Sequence, residues 1–307
     1  CSSDDLVAKD SSIALVEAES PSQIRDEFEF SGLSVVCTNP QTDSYADYRC
    51  DFELWEVDSG FMMYIGCNVT YSKFFDDGTL RTFLTYGIDR QTLVDDNYGG
   101  LALPTTLPIS PMSPYYSKSL ATNYDYDEMR FIDAASKFRV PTNDKGVPRT
   151  LQLLVNSDDS ARLRCARNIA ATLTELGLAC ETVESPTSVY EARLQAANYD
   201  IYLGITKLPT TADLSEFYRP WGEMSWGGLA NETIYNMVNQ SLADRGNYYN
   251  LHKLVADDGR IIPVMAGYYA IYAKRGVLSD LNPARDNVFY YTLGKTMESS
   301  KVATQFS

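Results

Sequence analysis

Histidine is nearly absent from this chain of 307 residues, which contains only His252. Catalytic sites of the Ser-His-Asp or Cys-His type place a histidine beside the nucleophile, so such a site would have to use this one residue. The sequence contains no G-x-S-x-G, H-E-x-x-H, phosphate-loop or dinucleotide-binding motif. We therefore expect a protein that is not an enzyme, with no cofactor, no metal site and a structural role for His252.

Basic residues are also scarce, with 26 lysines and arginines against 41 acidic residues and a net charge of −15. A nucleic-acid surface needs basic clusters to neutralise phosphates, so nucleic acid is excluded as a partner. No apolar run approaches the roughly 20 residues of a membrane helix, and no membrane-spanning segment is expected. An acidic excess of this kind is typical of an exported protein kept in solution by its charge.

The six cysteines form no CxxC pair and no zinc-ligand spacing. Cys1 precedes Ser-Ser-Asp-Asp, a pattern typical of a mature bacterial lipoprotein in which this cysteine carries the lipid anchor. The alternative is that Cys1 is merely the residue at which this chain begins. The pairs Cys37–Cys50 and Cys165–Cys180 are close in sequence, and each predicts either a disulfide or two buried thiols.

The first part of the chain predicts short strands around one helix. Strands are expected at residues 12–17 and 33–37, with a helix at 20–28 that begins after Ser20. Residues 51–57 and 61–67 predict a hairpin that turns at Asp58-Ser59-Gly60.

The centre of the chain alternates strands with helices. Strands are predicted at residues 150–155, 178–183 and 199–205, with helices at 158–176 and 188–197 between them. This alternation is typical of an α/β sheet with parallel members. After an irregular segment rich in Pro, Trp and Tyr, the sequence predicts helices at 231–243 and 248–257 and strands at 260–264, 267–274 and 287–293.

Residues 61–114 predict a characteristic order of strand, helices and loop. A buried strand leads to an amphipathic helix with Leu80, Phe83, Leu84 and Ile88 on one face, then to an Asp89-Arg90 corner, a helix ending at Gly99-Gly100 and a Pro-punctuated loop. This order resembles the centre of the family 5 extracytoplasmic solute-binding proteins, the peptide- and nickel-binding components of bacterial ABC importers. Similar segments, among them TLQLLVNSDDSARLRCARNIAATLTELG and LVADDGRIIPVMAGYYAIYAK, extend the resemblance from about residue 13 to 293.

The resemblance implies a two-lobed α/β fold of the type II periplasmic-binding-protein kind, with mixed sheets, flanking helices and a cleft between the lobes. Residues 1–70 would belong to the first lobe, 71–200 to the second lobe and 201–307 to the return to the first lobe. Family members carry a long first-lobe segment before the position of residue 13, so this chain is either a fragment or a shortened relative.

The resemblance also implies ligand-binding residues. In peptide binders of the family, an acidic residue on the return loop takes the amino terminus of the ligand, and tryptophans line its pockets. The acid of this chain is not in the usual Trp-x-x-Asp setting, which makes the match loose. The residues matched are Asp213, Trp221 and Trp226, with Lys207 beside them and Tyr98, Tyr115 and Tyr116 on the opposing wall.

These features predict an extracytoplasmic substrate-binding component of an ABC importer that captures a small peptide or similar solute. Its partners would be the permease subunits, and it would touch the membrane only through a lipid on Cys1. The alternative is a transport-inactive sensor or accessory protein on the same scaffold, which the short front and the missing Trp-x-x-Asp pattern favour. A hydrolase that uses two of the 41 acids as a catalytic pair is a third reading.

Overall fold

A computed structural model of the chain describes residues 16–17, 20–30, 32–40, 48–277, 281 and 283–285. The chain divides into two compact units. The first unit comprises Cys1–Ser59 with Tyr268–Ser307, and the second unit comprises Gly60–Gly267. The predicted division into lobes at residues 70 and 200 stays a prediction. The predicted strands at 287–293 and, for the most part, at 12–17 lie outside the described residues.

The first unit contains the helix and the strand that the sequence predicts near its start. Helix α1 (Pro21–Phe30) begins after Ser20, whose Oγ accepts a hydrogen bond of 3.2 Å from the backbone N–H of Gln23. Strand β1 (Val35–Thr38) pairs antiparallel with the end of β7 (Ile261–Lys274). The rings of Phe28 and Tyr272 lie 4.7 and 4.8 Å from that of Tyr48, which fills the space beside these elements.

Both predicted breaks in long strands are wrong. Strand β2 runs without a turn from Phe52 to Cys67, and β7 runs from Ile261 to Lys274. Gly60 has a φ of 78° and continues the strand, and its carbonyl accepts a hydrogen bond from the N–H of Leu208. Pairing with neighbouring strands therefore overrides the local turn signal at Asp58-Ser59-Gly60. The same holds at residues 265–266, which pair with β3 (Leu103–Pro104).

The second unit is built on a mixed sheet. Its strand order is β7-β2-β6-β4-β5, with β3 paired to β7. Strand β4 is parallel to both β5 and β6, and β6 is antiparallel to β2. These strands span Leu151–Asn156 (β4), Cys180–Ser185 (β5) and Ile201–Lys207 (β6). The predicted α/β class with mixed strand directions is confirmed.

Helices flank this sheet. They span Thr79–Phe83 (α2), Arg90–Tyr98 (α3), Lys118–Ala121 (α4), Glu128–Lys137 (α5), Ser160–Glu175 (α6), Thr187–Gln195 (α7), Ser215–Tyr218 (α8), Glu232–Ala243 (α9) and Tyr248–Asp258 (α10). The predicted amphipathic helix through Ile88 is shorter than expected, because the chain tightens into a 3-10 turn at Leu84–Gly87. A Cβ on Gly87 would lie 2.6 Å from the ring of Phe131, so α5 packs directly on this turn.

The sheet of the second unit has a core on each face, because successive side chains of a strand point to opposite sides. We call the first the α6 face, where Met63 and Ile65 pack with Leu173 of α6. The other is the α10 face, where Met62 and Tyr64 pack with Leu251 of α10. This three-layer arrangement decides which of the predicted site residues can meet.

The described cysteines, at positions 37, 50, 67, 165 and 180, form no disulfide. Both sequence-close pairs are therefore free thiols, but of these four only Cys165 is buried, because Cys37 is exposed and Cys50 and Cys180 are half-buried. Burial raises the pKa of Cys67 and Cys165, which keeps these thiols protonated and unreactive. Cys1 lies outside the described residues. Within the described part of the chain, no helix is both long and apolar enough to cross a membrane.

Candidate functional site

Two loops of the second unit meet at one tyrosine on the α10 face. We call residues 101–117 the Pro-rich loop and residues 208–229 the return loop. Tyr248, the first residue of α10, donates a hydrogen bond from its phenol to the backbone carbonyl of Thr211 on the return loop. Its ring stacks on that of Tyr115 from the Pro-rich loop, with centroids 5.1 Å apart and planes 24° apart. Tyr248 therefore fixes both loops to the same helix end.

An arginine extends this aromatic pair. The Nη1 of Arg245 donates a hydrogen bond of 3.1 Å to the Tyr115 hydroxyl, and the guanidinium carbon lies 5.7 Å from the ring centroid. The hydrogen bond to Tyr115 raises the pKa of Arg245, because it favours the charged form. Tyr115 keeps 37% of its surface exposed. The result is an exposed tyrosine face with a hydroxyl and a cation beside it, which suits a polar organic ligand.

Asp213, the acid expected to bind a ligand amine, is engaged within its own loop. Its Oδ1 accepts hydrogen bonds from the backbone N–H and the hydroxyl of Ser215, at 2.8 and 2.6 Å. These contacts shape the entrance to α8. The adjacent Ala212 and Leu214 are buried on the α10 face, which holds the loop against the core.

The two tryptophans of the return loop lie in different surroundings. Trp226 is half-buried against the α10 face, where it begins a 3-10 turn that ends at Gly228. The carbonyl of Gly227 accepts hydrogen bonds from the N–H groups of Val69 and Thr70, which ties this turn to the end of β2. Trp221 is instead 95% exposed.

The remaining predicted residues fall on both sides of the sheet. Lys207 is exposed at the end of β6, opposite Phe61 of β2. Tyr116 packs on the α10 face and Tyr98 on the α6 face, and burial raises the pKa of both phenols. The structure thus places Tyr116, Trp226 and the neighbours of Asp213 against one core and Tyr98 against the other. A ligand-binding role for any of the predicted residues stays a prediction.

Sequence reasoning missed Tyr248 and Arg245. Both follow Asp244, whose Oδ1 accepts a hydrogen bond of 2.9 Å from the N–H of Gly246 and so shapes the turn before α10. The sequence did show a helix beginning at residue 248. The sequence did not indicate that this helix end faces the Pro-rich loop, because the contact between Tyr115 and Tyr248 joins residues more than 130 positions apart.

A polar hollow of about 440 Å³ lies elsewhere in the second unit. The guanidinium of Arg130 stands 3.7 Å from the ring centroid of Tyr86, and the Tyr124 hydroxyl donates to Asp257 over 2.6 Å. Lys253 also forms an ion pair with Asp257. Arg130 and Asp257 thus have partners at this hollow, and none of these contacts points to a particular ligand.

Solved structures with the same fold are solute-binding proteins. The chain aligns with a putative peptide binding protein AppA from Clostridium difficile at a TM-score of 0.68 and 14% identity, covering 86% of this chain and 56% of the other. The oligopeptide-binding protein AppA from Bacillus subtilis, in complex with a nonapeptide, gives 0.64 and 15%, covering 90% and 58%. NikA from Brucella suis, in complex with Fe(III)-EDTA, gives 0.67 and 14%, covering 90% and 60%. These likenesses show the fold of the periplasmic binding proteins, which confirms the predicted fold class.

The family follows from the sequence itself. The family described as "Bacterial extracellular solute-binding proteins, family 5 Middle" matches residues 19–228, about two thirds of the chain, so the chain belongs to this family. Its members bind solutes outside the cytoplasm and are not enzymes, which confirms the predictions of no catalysis and of an extracytoplasmic location. The chain spans little more than half the length of the solved relatives. No curated protein sequence matches it.

Proposed function

We propose that this chain is the substrate-binding component of an ABC importer and captures a small peptide or similar solute between two lobes. The observation that carries the proposal is the contact of Tyr248 with both Thr211 and Tyr115. This contact joins the return loop to the Pro-rich loop and leaves aromatic faces and Arg245 at the surface. The permease subunits would be its partners, and a lipid on Cys1 would be its membrane anchor.

The chemistry of this wall suits a peptide. An extended peptide offers main-chain N–H and C=O groups, which tyrosine hydroxyls and the Arg245 guanidinium can pair with. Apolar side chains of the peptide can lie on the exposed face of Tyr115. Micromolar binding corresponds to about −8 kcal/mol, which a few hydrogen bonds and filled pockets can supply.

Native mass spectrometry tests the proposal at the level of a ligand. The purified chain is compared under native and denaturing conditions, and we expect an adduct of a few hundred daltons that disappears on denaturation. Fragmentation of the released molecule then distinguishes a peptide from a metal chelate of the kind seen in the NikA relative. Calorimetric titration with tripeptides and pentapeptides follows, and the absence of binding to every one of them would overturn peptide capture.

Two matched variants test the location of the site. Tyr248→Phe keeps the aromatic stack and removes the hydrogen bond to Thr211, so we expect peptide binding to weaken about threefold to tenfold. Tyr98→Phe makes the same chemical change on the α6 face, and we expect unchanged binding there. The opposite pattern would move the site to the α6 face.

A transport-inactive sensor or accessory protein is the second candidate. The engagement of Asp213 with Ser215 favours it, because that carboxylate is less available to a ligand amine. Stimulation of the permease ATPase by the loaded chain would support the importer, whereas ligand binding without stimulation would support the sensor.

A further inference from the structure

Trp221 occupies a turn position that ordinarily requires glycine. The N–H of Gly222 donates a hydrogen bond of 3.1 Å to the carbonyl of Arg219, which closes a four-residue turn. Pro220 and Trp221 are its central residues, and Trp221 has a φ of 61°. A turn with proline first and a positive φ second is of type II, where glycine or asparagine is favoured at the second position. A tryptophan there carries backbone strain.

The turn is held rigidly against α8. Arg219 forms two hydrogen bonds with the carboxylate of Glu216, at 3.0 and 2.8 Å. The N–H of Glu223 donates to the same carboxylate over 3.0 Å. A Cβ on Gly222 would lie 2.1 Å from the backbone oxygen of Glu216, so the turn lies directly on that residue. Trp221 is therefore presented by a fixed frame.

Folding gains little from this tryptophan, since 95% of its surface stays exposed. Within residues 206–229, all of which the structure describes, it is the only large apolar side chain in the exposed class. Its neighbours Arg219, Pro220 and Glu223 are charged or small. A protein interface would need a contiguous patch of about 800 Å² on each partner. An isolated indole on a rigid turn fits contact with a group of a small molecule better.

The charges beside the indole favour a cation. The turn carries Glu216 and Glu223 against Arg219, and both acids act on the guanidinium, leaving one net negative charge. The whole chain carries a net charge of −15, so its field attracts cations. Tryptophan is the aromatic side chain that binds cations most strongly.

We propose that Trp221 contacts a positively charged group of the solute, such as the side chain of a lysine or arginine in a peptide. This inference rests on the proposed function and adds a substrate class to it, cationic peptides. The rigid turn lowers the ordering cost of the contact, because the indole is already held in place. Cation–π contacts at exposed sites contribute about 0.5–1 kcal/mol, and more when they lose water, so an effect of about threefold to tenfold on affinity is expected.

Calorimetry with matched peptides tests the inference. Ala-Lys-Ala and Ala-norleucine-Ala have the same four side-chain carbons at the central residue, and only the lysine peptide carries the terminal ammonium group. We expect the wild-type chain to bind the lysine peptide about threefold to tenfold more tightly. Trp221→Leu should abolish this preference, and Trp221→Phe should retain part of it. Tyr71→Leu is the matched control, because Tyr71 is also exposed, at 72%, and lies outside both loops.

The outcomes separate this inference from the proposed function. Binding of both peptides with equal affinity, or a lysine preference that survives in Trp221→Leu, overturns the role of Trp221 and leaves peptide capture intact. If neither tripeptide binds, the inference is overturned. If the pentapeptides also fail to bind, peptide capture is overturned.

Trp221→Gly provides an independent readout, since glycine relieves the strain of the turn. We expect it to raise the urea midpoint while losing the lysine preference, and a lowered midpoint would show that the indole serves folding.

Discussion

At the scale of single residues, the one histidine is buried without a hydrogen-bonding partner. His252 has no exposed surface, and neither ring nitrogen finds a partner among the described residues. Burial lowers the pKa of His252 to about 4, whereas an unfolded chain takes up this proton near 6.5. The folded state therefore loses stability as the pH falls from about 6.5 to about 4. The loss amounts to about 3 kcal/mol once the pH is below both values.

Urea unfolding at pH 7, 5.5 and 4.5 measures this loss, and His252→Leu provides the comparison. We expect the unfolding free energy of the wild type to fall more steeply over this range than that of the variant, because leucine has no proton to gain. Carboxylates contribute to both slopes alike and cancel in the difference. Parallel slopes would show that His252 is accessible to protons in the folded state.

The residue scale also shows what the sequence could say about the site. The resemblance predicted Asp213, Trp226 and Tyr116 as site residues. Trp226, Tyr116 and the two neighbours of Asp213 all pack on the α10 face. Tyr248 was missed, because a loop carbonyl and a stacking ring at sequence distances of 37 and 133 residues leave no local pattern. The exposure of the two tryptophans could not be predicted from the sequence either. Trp221 and Trp226 lie five residues apart, yet only Trp226 is packed against the core.

At the scale of elements, helices were predicted better than long strands. Caps such as Asp89 and Asn231 are local, and the helices that they begin were expected close to where they occur. Strands β2 and β7 were each divided in two, because a Gly-containing segment reads as a turn until its partner strand is known. Local chemistry fixed helix starts, whereas strand length depended on pairing across the sheet.

The Asp89-Arg90 corner has a physical explanation at this scale. Asp89 caps α3 by accepting a hydrogen bond of 3.1 Å from the N–H of Thr92. Arg90 is buried and donates to the carbonyls of Pro263, Thr85 and Ile88 at 2.9, 3.2 and 3.2 Å. Its guanidinium thus ties the start of α3 to strand β7 and to the preceding turn. Burial lowers its pKa to about 10, so it stays charged at neutral pH.

We expect Arg90→Ala to destabilise the second unit by about 3 kcal/mol, because three buried carbonyls lose their donor and a cavity remains. Urea unfolding measures the change. Arg167→Ala is the control, since Arg167 pairs with Glu184 at the exposed surface and its loss should leave the midpoint nearly unchanged. A similar midpoint for the two variants would mean that water replaces the Arg90 contacts without cost.

At the scale of the whole molecule, the order of segments identified the family although no single motif did. The family matches over residues 19–228, whereas the solved relatives share the fold at only 14–15% identity. The pattern of buried positions carries the fold. The ligand depends instead on a few exposed side chains, which such a pattern leaves undetermined.

The charge of the whole molecule gives the last prediction. With 41 acidic and 26 basic residues, repulsion among the excess carboxylates opposes the compact state at neutral pH. Salt screens this repulsion over a Debye length of about 10 Å at 0.1 M. Salt also weakens exposed ion pairs such as Arg167–Glu184, but each of these contributes little. We therefore expect the urea midpoint at pH 7 to rise as sodium chloride increases from about 20 to about 300 mM.

The sign of this effect can be checked by removing the net charge. The isoelectric point lies near 4.5, where positive and negative charges balance and screening has no net repulsion to relieve. At that pH the midpoint should stay constant or fall slightly with salt, because only the attractive pairs are screened. A rise of equal size at both pH values would assign the effect to a general salt action on apolar surface rather than to charge. A fall at pH 7 would mean that paired charges at the surface outweigh the excess of 15 negative charges.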